Sequence, residues 1–472
     1  MKQALKPEDW GITIGNRGEA MLKNFDLTDL AKKYGTPIHI VNEPRLRYTA
    51  GNFVESMQKT YDSKVSVYYA FKCNSVPYVI DIIRKSRLNA EVATEYEFDL
   101  ALRVGYSPNQ IIVNGPNKME KFIEKCVESE VRFLVVDSLD ELHRLENISK
   151  KLGRKINILL RINPNYIPSG MNSGSATASR KGSLFGLDLQ GGEAFEAVSY
   201  LTRSNNLIFS GIHFHIGTGI KNPKDYSNAI NKLSSLFKHI STTGLKVKVI
   251  DVGGGIASPT SRELTTKEML LYQAFNYLPV RIGKLRTDSF REFGDEISKA
   301  VKKYFEDDEL PELIFEPGRS ITSQNQFLLI TVHQVKRRKG VKTWLITDGG
   351  LGTVTMPTYY EYHEILLCND LHRPKTERVS INGSCCFSSD IVYKNKLMPK
   401  VFPGEVIAVM DTGAYFTSLE SQFGFQRPAI VAVTENEHEL VRERESIAEM
   451  TNRDKLNFSK SLKGAGYEIF NH

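Results

Sequence analysis

The stretch Val65-Ser-Val-Tyr-Tyr-Ala-Phe71 is an apolar, β-rich run that is followed at once by Lys72. A lysine at the end of a buried strand loses hydration unless another group interacts with it, and burial lowers the pKa of an amine toward its reactive neutral form. Lys72 is therefore a candidate for Schiff-base chemistry. A lysine that caps an exposed strand end is the alternative interpretation of this stretch taken alone.

This run is the first of eight short apolar segments that alternate with longer amphipathic stretches. The other seven predicted strands cover residues 89–93, 111–114, 133–137, 156–162, 208–215, 247–252 and 313–316. Such alternation is typical of an α/β protein with a (β/α)8 TIM barrel, in which functional residues collect at the carboxyl ends of the strands. Unusual polar residues do follow several of these strands, which favours a functional site over scattered core positions.

A second domain is indicated after residue 320, where β-branched segments are separated by turns. The predicted strands there cover residues 327–335, 342–348, 377–382, 404–410 and 428–434. The 472 residues of the chain are enough for two domains. We predict a barrel over residues 41–320 and an all-β domain formed by residues 1–40 together with 321–472.

Composition excludes several classes of protein. The net charge of +7 is spread along the chain without a recognition motif, so we expect no nucleic-acid partner. No apolar run has the length of a bilayer span, and the first residues lack a signal-like stretch, so we expect no membrane partner and a cytoplasmic protein. Five cysteines, an odd number without metal-ligand spacing, suit a reducing compartment and predict no metal site.

Two glycine-containing motifs could bind an anion. In Asp251-Val-Gly-Gly-Gly-Ile256, three glycines let backbone N–H groups approach a phosphate closely, although a tight strand-to-helix turn would need the same residues. In Glu316-Pro-Gly-Arg319, a carboxylate stands at a strand end and an arginine could donate to phosphate oxygens. A salt bridge in a surface turn is the alternative for the second motif.

The motif His213-Phe-His-Ile-Gly-Thr218 places two histidines on one side of the sixth strand. Histidines at this spacing can ligate a metal, but the sequence nearby shows no further ligands of a zinc site. An imidazole packed on the face of an aromatic cofactor is the interpretation that agrees with the other motifs.

Taken together, the motifs resemble those of the fold-type III pyridoxal-phosphate decarboxylases, in particular the diaminopimelate decarboxylase branch, with ornithine decarboxylase more distant. They occur in family order over roughly residues 36–435, and they are Tyr69-Ala-Phe-Lys-Cys-Asn74, Arg161-Ile-Asn-Pro164, His213-Phe-His-Ile-Gly-Thr218, Gly253-Gly-Gly255, Glu316-Pro-Gly-Arg319, Gly383-Ser-Cys-Cys-Phe-Ser-Ser-Asp390 and Asp411-Thr-Gly-Ala-Tyr415. The resemblance implies an alanine racemase-like barrel, a C-terminal β-domain and a homodimer with shared active sites. It also implies α-decarboxylation of an amino acid with pyridoxal 5'-phosphate, through an external aldimine and a quinonoid.

The resemblance assigns a role to each matching residue. Lys72 would form the internal aldimine, His215 would stack on the cofactor ring, and Glu316 would pair with the pyridine nitrogen. The remaining cofactor contacts would come from Arg161 near the phenolic oxygen, from Thr218, Gly253, Gly254, Gly255, Gly318 and Arg319 around the phosphate, and from Tyr415. Cys386, contributed by the neighbouring subunit, would be the general acid. Because alanine racemase places an arginine against the pyridine nitrogen, Glu316 favours decarboxylation over racemisation.

Departures from the family pattern concern the substrate. Phe387 stands where the decarboxylases carry an acidic residue that contacts the distal amino group of the substrate. Met356-Pro357 replaces an Arg-Pro pair that helps to hold the distal carboxylate in diaminopimelate decarboxylases, whereas Tyr360 matches. Tyr360, Phe387 and Arg319 are the predicted substrate residues. An apolar residue cannot replace an ion pair in a desolvated pocket, so the distal end of the substrate is predicted to differ from that of diaminopimelate.

Two alternatives remain open at this point. One is a decarboxylase of an amino-acid conjugate, such as a siderophore or antibiotic intermediate, which would explain a remodelled pocket. The other is a catalytically silent paralogue that binds a protein partner, although the retention of Lys72, Glu316, Cys386 and Tyr415 argues against silence.

Overall fold

The N-terminal segment contributes strands to two sheets of the protein. The computed structural model describes residues 5–171, 179–277, 289–305, 309–354 and 361–454. Strands β1 (Ile12–Ile14), β2 (Ala20–Leu22) and β3 (Phe25–Asp26) form a small antiparallel sheet. Helix α1 (Leu27–Tyr34) begins where the Asp26 carboxylate accepts a hydrogen bond from the N–H of Thr28, and strand β4 (Ile38–Asn42) follows it.

The predicted (β/α)8 barrel is confirmed. The strands of this region are β5 (Val65–Ala70), β6 (Asn89–Val92), β7 (Ile111–Val113), β8 (Phe133–Val136), β9 (Ile156–Asn163), β10 (Leu187–Asp188), β11 (Leu207–His213), β12 (Val249–Asp251), β13 (Arg262–Glu263) and β14 (Glu312–Phe315). Eight of them pair in parallel in the order β5-β6-β7-β8-β9-β11-β12-β14, and β14 pairs with β5 to close the ring. These eight strands coincide with the predicted ones to within a few residues.

Most helices of this region cover the outside of the barrel. The helices are α2 (Glu43–Gln58), α3 (Pro77–Lys85), α4 (Glu95–Val104), α5 (Glu120–Glu128), α6 (Leu139–Leu152), α7 (Glu193–Leu201), α8 (Lys224–Lys232), α9 (Ser234–Thr242), α10 (Thr266–Phe275), α11 (Phe290–Lys302) and α12 (Arg319–Thr322). Local sequence sets their ends: the hydroxyl of Ser138 accepts from the N–H of Glu141 at the start of α6, and Gly153, with φ of 62°, ends that helix. Most of these helices pack their apolar faces on the barrel, whereas Tyr272 of α10 packs in the core of the second domain. The interior of the barrel is filled by Tyr68, Ile112, Phe133, Val135, Leu159, Val249 and Ile314.

The second domain is mostly β. Its elements are β15 (Gln326–Arg338), β16 (Lys342–Thr347), α13 (Leu351–Val354), β17 (Glu361–Tyr362), β18 (Ile365–Leu367), β19 (Lys375–Asn382), β20 (Ile391–Pro399), β21 (Val406–Val409), α14 (Phe416–Leu419), β22 (Ala429–Val433), β23 (His438–Arg442) and α15 (Ile447–Thr451). The predicted C-terminal β-domain is confirmed as a mostly-β domain: among its described residues, the short helices α13 and α14 lie between strands and α15 follows the last strand, β23. The five predicted strands are present within a few residues of their expected positions.

The two ends of the chain meet in one sheet. Strand β4 lies between β15, with which it pairs antiparallel, and β22, with which it pairs parallel. This pairing supports the predicted union of the N-terminal segment with the second domain, although β4 crosses the expected boundary at residue 40. The division at residues 40/41 and 320/321 stays a prediction. In the parts of the chain that the structure describes, no helix is both long and apolar enough to cross a bilayer.

Candidate active site

A pocket opens at the carboxyl ends of the barrel strands, where a barrel of this kind places its chemistry. It is lined by Ala70, Lys72, Asn114, Arg161, His213, His215, Thr218, Gly254, Gly255, Glu316, Gly318, Arg319 and Tyr415. The structure therefore brings together most of the residues that the sequence singled out, although they come from six different strands and from the second domain.

Lys72 lies in a short 3₁₀ turn, Phe71–Cys73, that follows β5. Its Nζ is 3.2 Å from Oε2 of Glu91, a buried residue near the end of β6, and about half of the lysine side chain is exposed. Partial burial lowers the pKa of Lys72, but the carboxylates of Glu91 and Glu316 raise it further, so the pKa lies above its ordinary value. The sequence-based expectation of a lowered pKa was wrong, because it considered burial without the acidic partners.

Glu316 is a buried carboxylate that is held from two sides. Its Oε1 accepts a hydrogen bond of 2.7 Å from Nδ2 of Asn114, and its Oε2 lies 3.2 Å from Nε2 of His213. Burial alone would raise the pKa of Glu316, but His213 and Lys72 lower it to about 2. The carboxylate is therefore charged at neutral pH and fixed in position at a strand end.

Asp251 lies beside Glu316, and its pKa is shifted in the opposite direction. It is fully buried at the end of β12, where its Oδ1 accepts from the N–H of Gly253. Burial and the charge of Glu316 raise the pKa of Asp251 well above its usual range. Ligand atoms of Asp251, Glu316 and His213 all lie within 4.8 Å of one another, as in some metal sites, but both oxygens of Glu316 already have partners in the protein.

His215 has a single ring orientation defined by the backbone. Its Nδ1 accepts a hydrogen bond of 3.2 Å from the N–H of Gly254, so the proton of the neutral ring is on Nε2. Burial lowers the pKa of His215 to about 3. The imidazole is thus uncharged at neutral pH, which suits a ring that packs face-on against another ring.

Gly254 and Gly255 form a part of the pocket wall where backbone segments lie very close together. A Cβ atom on Gly254 would lie 2.1 Å from the carbonyl oxygen of Glu316, and one on Gly255, whose φ is 106°, would lie 2.0 Å from that of Gly217. Only glycine fits at these two positions. The N–H groups of Gly253 and Gly254 donate to Asp251 and His215, and Gly254 and Gly255 line the cavity together with Thr218 and Gly318.

Arg161 and Arg319 both enter the pocket already paired with a buried acid. Nη1 of Arg161 is 3.2 Å from Oδ2 of Asp137, and its guanidinium lies 4.6 Å from the ring centroid of Phe185. The guanidinium of Arg319 forms an ion pair with Glu361 and lies 5.2 Å from the ring centroid of Tyr415.

Tyr415 carries an unfavourable backbone conformation at the edge of the pocket. Its φ is 67°, which is rare for a residue with a side chain, and its N–H donates to the carbonyl of Cys73 at 2.7 Å. This bond ties the second domain to the turn that carries Lys72. Burial raises the pKa of the Tyr415 phenol to about 12, so the hydroxyl stays protonated.

Among the described residues, the predicted Cys386, Phe387 and Gly253 do not line the pocket of the single chain. Cys386 and Phe387 are exposed on the loop between β19 and β20, where the ring of Phe387 packs against Phe423 with centroids 5.3 Å apart. Gly253 lies just behind the wall, where its carbonyl accepts from the N–H of Glu316. Tyr360 and the pair Met356-Pro357 lie outside the described residues.

Comparison with known proteins identifies the family. The model of the pyridoxal-dependent decarboxylases, pyridoxal binding domain, matches residues 51–323, more than half of the chain. The chain belongs to this family.

Sequence similarity to known relatives extends over nearly the whole length of this decarboxylase. It is similar to diaminopimelate decarboxylase from Methanocaldococcus jannaschii (27% identity; 93% of this chain, 95% of the relative) and to that from Bacillus subtilis (28%; 94% and 97%). The crystal structure of the M. jannaschii enzyme superimposes with a TM-score of 0.83 at 26% identity over 95% of this chain and 98% of the other. The protein is a carboxy-lyase that uses pyridoxal 5'-phosphate, and it acts on an amino acid.

The pocket of this decarboxylase fits that cofactor. A charged carboxylate stabilises a protonated pyridine nitrogen, and Glu316 supplies one; an uncharged ring can stack on the flat face of the cofactor, and His215 supplies one. A phosphate needs space close to the backbone and a polar partner, and Gly254, Gly255 and Gly318 line the pocket without side chains beside the hydroxyl residue Thr218. Lys72 supplies an amine that is open to the cavity.

Sequence reasoning missed the acidic and amide residues that hold these groups, namely Glu91, Asn114, Asp137, Asp251 and Glu361. Four of the five stand at or directly after the carboxyl end of a barrel strand. A polar residue at the end of an apolar strand was therefore a usable signal, although no role was predicted even for Asp251, which directly precedes the glycine motif.

Proposed function

We propose that this decarboxylase removes the α-carboxylate of an amino acid in the pocket that Lys72, His215 and Glu316 line. The observation that carries the proposal is the charged carboxylate of Glu316, held by Asn114 and His213, in the same pocket as the amine of Lys72. When bound, pyridoxal 5'-phosphate supplies the electron sink that receives the electron pair left as CO2 departs.

Each residue of the chain then has a task. Lys72 would attach the cofactor covalently, and Glu316 would keep a proton on the pyridine nitrogen because its own pKa is so low. His215 and Arg161 would orient the ring, with Asp137 holding the guanidinium of Arg161 in place. Thr218, Gly253, Gly254, Gly255, Gly318 and Arg319 would surround the phosphate, and Tyr415 would close the site. These roles stay proposals, and the positions of the residues in the pocket support them for all except Gly253, which lies behind the pocket wall.

We further propose a homodimer in which Cys386 of one protomer acts at the pocket of the other and returns a proton to the α-carbon. The exposed position of Cys386, beside the exposed rings of Phe387 and Phe423, supports a contact with a second chain. All five cysteines are free thiols, which supports the proposed cytoplasmic location.

Subunit exchange tests the shared site. Lys72→Ala and Cys386→Ala proteins should each be nearly inactive, and their mixture should recover part of the activity, because one hybrid site would contain both native residues. CO2 release after mixing, with exchange demonstrated by differently tagged chains, is the measurement. Exchange without recovery would contradict the action of Cys386 across the interface.

The amino acid is proposed to differ from diaminopimelate at its distal end. The named relatives act on diaminopimelate, but Phe387 cannot pair with a distal ammonium group. The second candidate is a decarboxylase of an amino-acid conjugate. Phe387 favours it as well, because a conjugate would explain a remodelled pocket.

Replacement of Phe387 by glutamate tests this part of the proposal. Wild-type protein should be poor with meso-diaminopimelate, and Phe387→Glu should bind diamino substrates more tightly by about 1.5–3 kcal/mol, the value of a charge-assisted hydrogen bond. The measurement is kcat/KM for CO2 release, with Phe423→Glu as a control that adds the same charge on the neighbouring ring. Ordinary efficiency of the wild-type protein with meso-diaminopimelate would refute this reading of Phe387.

The basic proposal is tested by absorbance and CO2 release together. Purified protein should show the yellow absorbance of lysine-bound pyridoxal phosphate and release CO2 from at least one of diaminopimelate, lysine, ornithine, arginine and conjugated amino acids. Absorbance without CO2 release from any amino acid, or no absorbance at all, would support the silent paralogue instead.

A further inference from the structure

Two buried carboxyl groups, those of Asp251 and Glu316, lie next to each other at the candidate active site. Asp251 ends β12 and is 0% exposed, and Glu316 directly follows β14 and is 5% exposed. Asp251 stands opposite His213 of β11 in the sheet, and one oxygen of each carboxyl group and one ring nitrogen of His213 all lie within 4.8 Å of one another. Two carboxylates this close in a buried site repel each other, so the charge of one opposes ionisation of the other.

The hydrogen-bond donors around this pair favour a charge on Glu316. One oxygen of Glu316 accepts from Nδ2 of Asn114 at 2.7 Å, and Nε2 of His213 lies 3.2 Å from the other. Among the described residues, Asp251 accepts only from the backbone N–H of Gly253, at 2.9 Å. Because each donor stabilises the charged form of the carboxylate that accepts from it, the negative charge belongs on Glu316 and the proton on Asp251.

The second oxygen of Asp251 lacks a donor. Oδ2 is buried and has no hydrogen-bond partner within the described parts of the chain. As a bare acceptor this atom would lose its hydration without compensation, whereas as a hydroxyl it can donate to the neighbouring carboxylate of Glu316. Each oxygen of a carboxylate can accept two hydrogen bonds, so Glu316 has the capacity for this third donor. A carboxyl group that its site keeps neutral can serve an enzyme as a hydrogen-bond donor in this way.

The electrostatic surroundings of Asp251 agree with this assignment. Burial raises the pKa of Asp251, and the charge of Glu316 raises it further. Two more titratable groups act on Asp251 from other strands of the barrel, the carboxyl group of Glu91 on β6 and the phenol of Tyr68 on β5. Burial also lowers the pKa of His213, so this imidazole is uncharged near neutral pH and supplies no positive charge to stabilise an ionised Asp251.

We infer that Asp251 is a positioning residue that acts in its neutral form: it donates a hydrogen bond to Glu316 and holds that carboxylate from a third side. The inference deepens the proposed function and rests on it, because Glu316 is the residue that lines the pocket. A carboxylate that accepts three hydrogen bonds is a weak base, so a proton on the pyridine nitrogen of bound pyridoxal phosphate stays on the nitrogen. Asp251 thus acts on the cofactor only through Glu316.

Two substitutions in the holoenzyme distinguish a neutral donor from a charged group. For Asp251→Ala, kcat for CO2 release should fall by about tenfold or more, the effect of one hydrogen bond to a charged group, with KM changed much less. Asp251→Asn should recover most of that loss, because its amide can donate to Glu316 while its oxygen accepts from Gly253. An Asp251→Asn protein as impaired as Asp251→Ala would show that the reaction needs a charged Asp251, and would overturn the inference.

Infrared spectroscopy tests the proton on Asp251 directly and requires neither turnover nor a folded Asp251→Ala protein. Near pH 8 and without substrate, the wild-type holoenzyme should show the carbonyl band of a protonated carboxyl group that Asp251→Asn lacks. An aspartate with its usual pKa is ionised at that pH and gives no such band. Identical spectra of the two proteins would overturn the inference. A lost band without CO2 release from any amino acid would support the hydrogen bond to Glu316 and refute the proposed function alone.

Asp225→Asn is the matched control for the infrared measurement. Asp225 is also buried, but its Oδ1 accepts hydrogen bonds from the hydroxyl of Tyr166 and from both the N–H and the hydroxyl of Ser169. Three donors favour a carboxylate without a proton, so this substitution should leave the carbonyl band in place. Loss of the same band in Asp225→Asn would contradict the assignment of the proton to Asp251.

Discussion

The rate of CO2 release by the Lys72→Ala variant is expected to fall by about 10⁴-fold or more, because removal of a covalent catalytic group has effects of this size. The protein should also lose the yellow absorbance of the bound cofactor, because no amine remains to attach it. The fold should persist, since the lysine side chain is half exposed and contributes an ion pair, not core packing.

The stability of this variant should depend on pH in a defined way. Burial raises the pKa of Glu91 to about 7, although the charge of Lys72 opposes that shift, and removing Lys72 takes away the opposing charge. A carboxyl whose folded pKa is raised contributes most to stability below its unfolded pKa and loses that contribution as pH rises through the folded value. Lys72→Ala should therefore be close to wild type in Tm near pH 5 and less stable near pH 8.

Lys64→Ala is a suitable control, because Lys64 precedes the same strand, is exposed and forms an ion pair with Glu312 at the other end of the barrel. It should keep both activity and absorbance. The assays are CO2 release, the absorbance spectrum and thermal melting at the two pH values. Retained activity in Lys72→Ala would show that another amine attaches the cofactor.

Gly254→Ala is the second change with a large expected effect. The added Cβ would lie 2.1 Å from the backbone oxygen of Glu316, a distance that no alanine tolerates, so the end of β14 must shift. Overpacking of this kind costs about 2–3 kcal/mol in the free energy of unfolding. The same shift would move the carboxylate of Glu316 away from Asn114 and His213, and activity and cofactor affinity should fall together.

Gly51→Ala is the matched control for this substitution. Gly51 lies in α2, and a Cβ there would meet nothing within 4 Å. Alanine in an exposed helix stabilises by roughly 0.5–1 kcal/mol relative to glycine, so Tm should rise slightly and activity should stay unchanged. Equal behaviour of the two variants in melting and in cofactor titration would contradict the packing argument for Gly254.

The barrel and much of the candidate site could be predicted from sequence because both depend on local patterns. Apolar runs of strand length alternate with amphipathic stretches, and that spacing is enough to indicate the eight strands that the structure contains. Lys72, His215, Glu316 and the glycines follow strands directly. Since parallel strands in a barrel all end at one rim, their meeting in one pocket follows from the fold class.

What the sequence determined by itself was thus the order of elements, the family motifs and the set of residues that reach the rim. Tertiary structure alone decided how those residues are charged: Glu91 raises the pKa of Lys72, and Glu361 neutralises Arg319 from the second domain. The physical reason is that a pKa and an ion pair depend on distances of a few ångströms between residues far apart in the chain, 19 positions in the first case and 42 in the second.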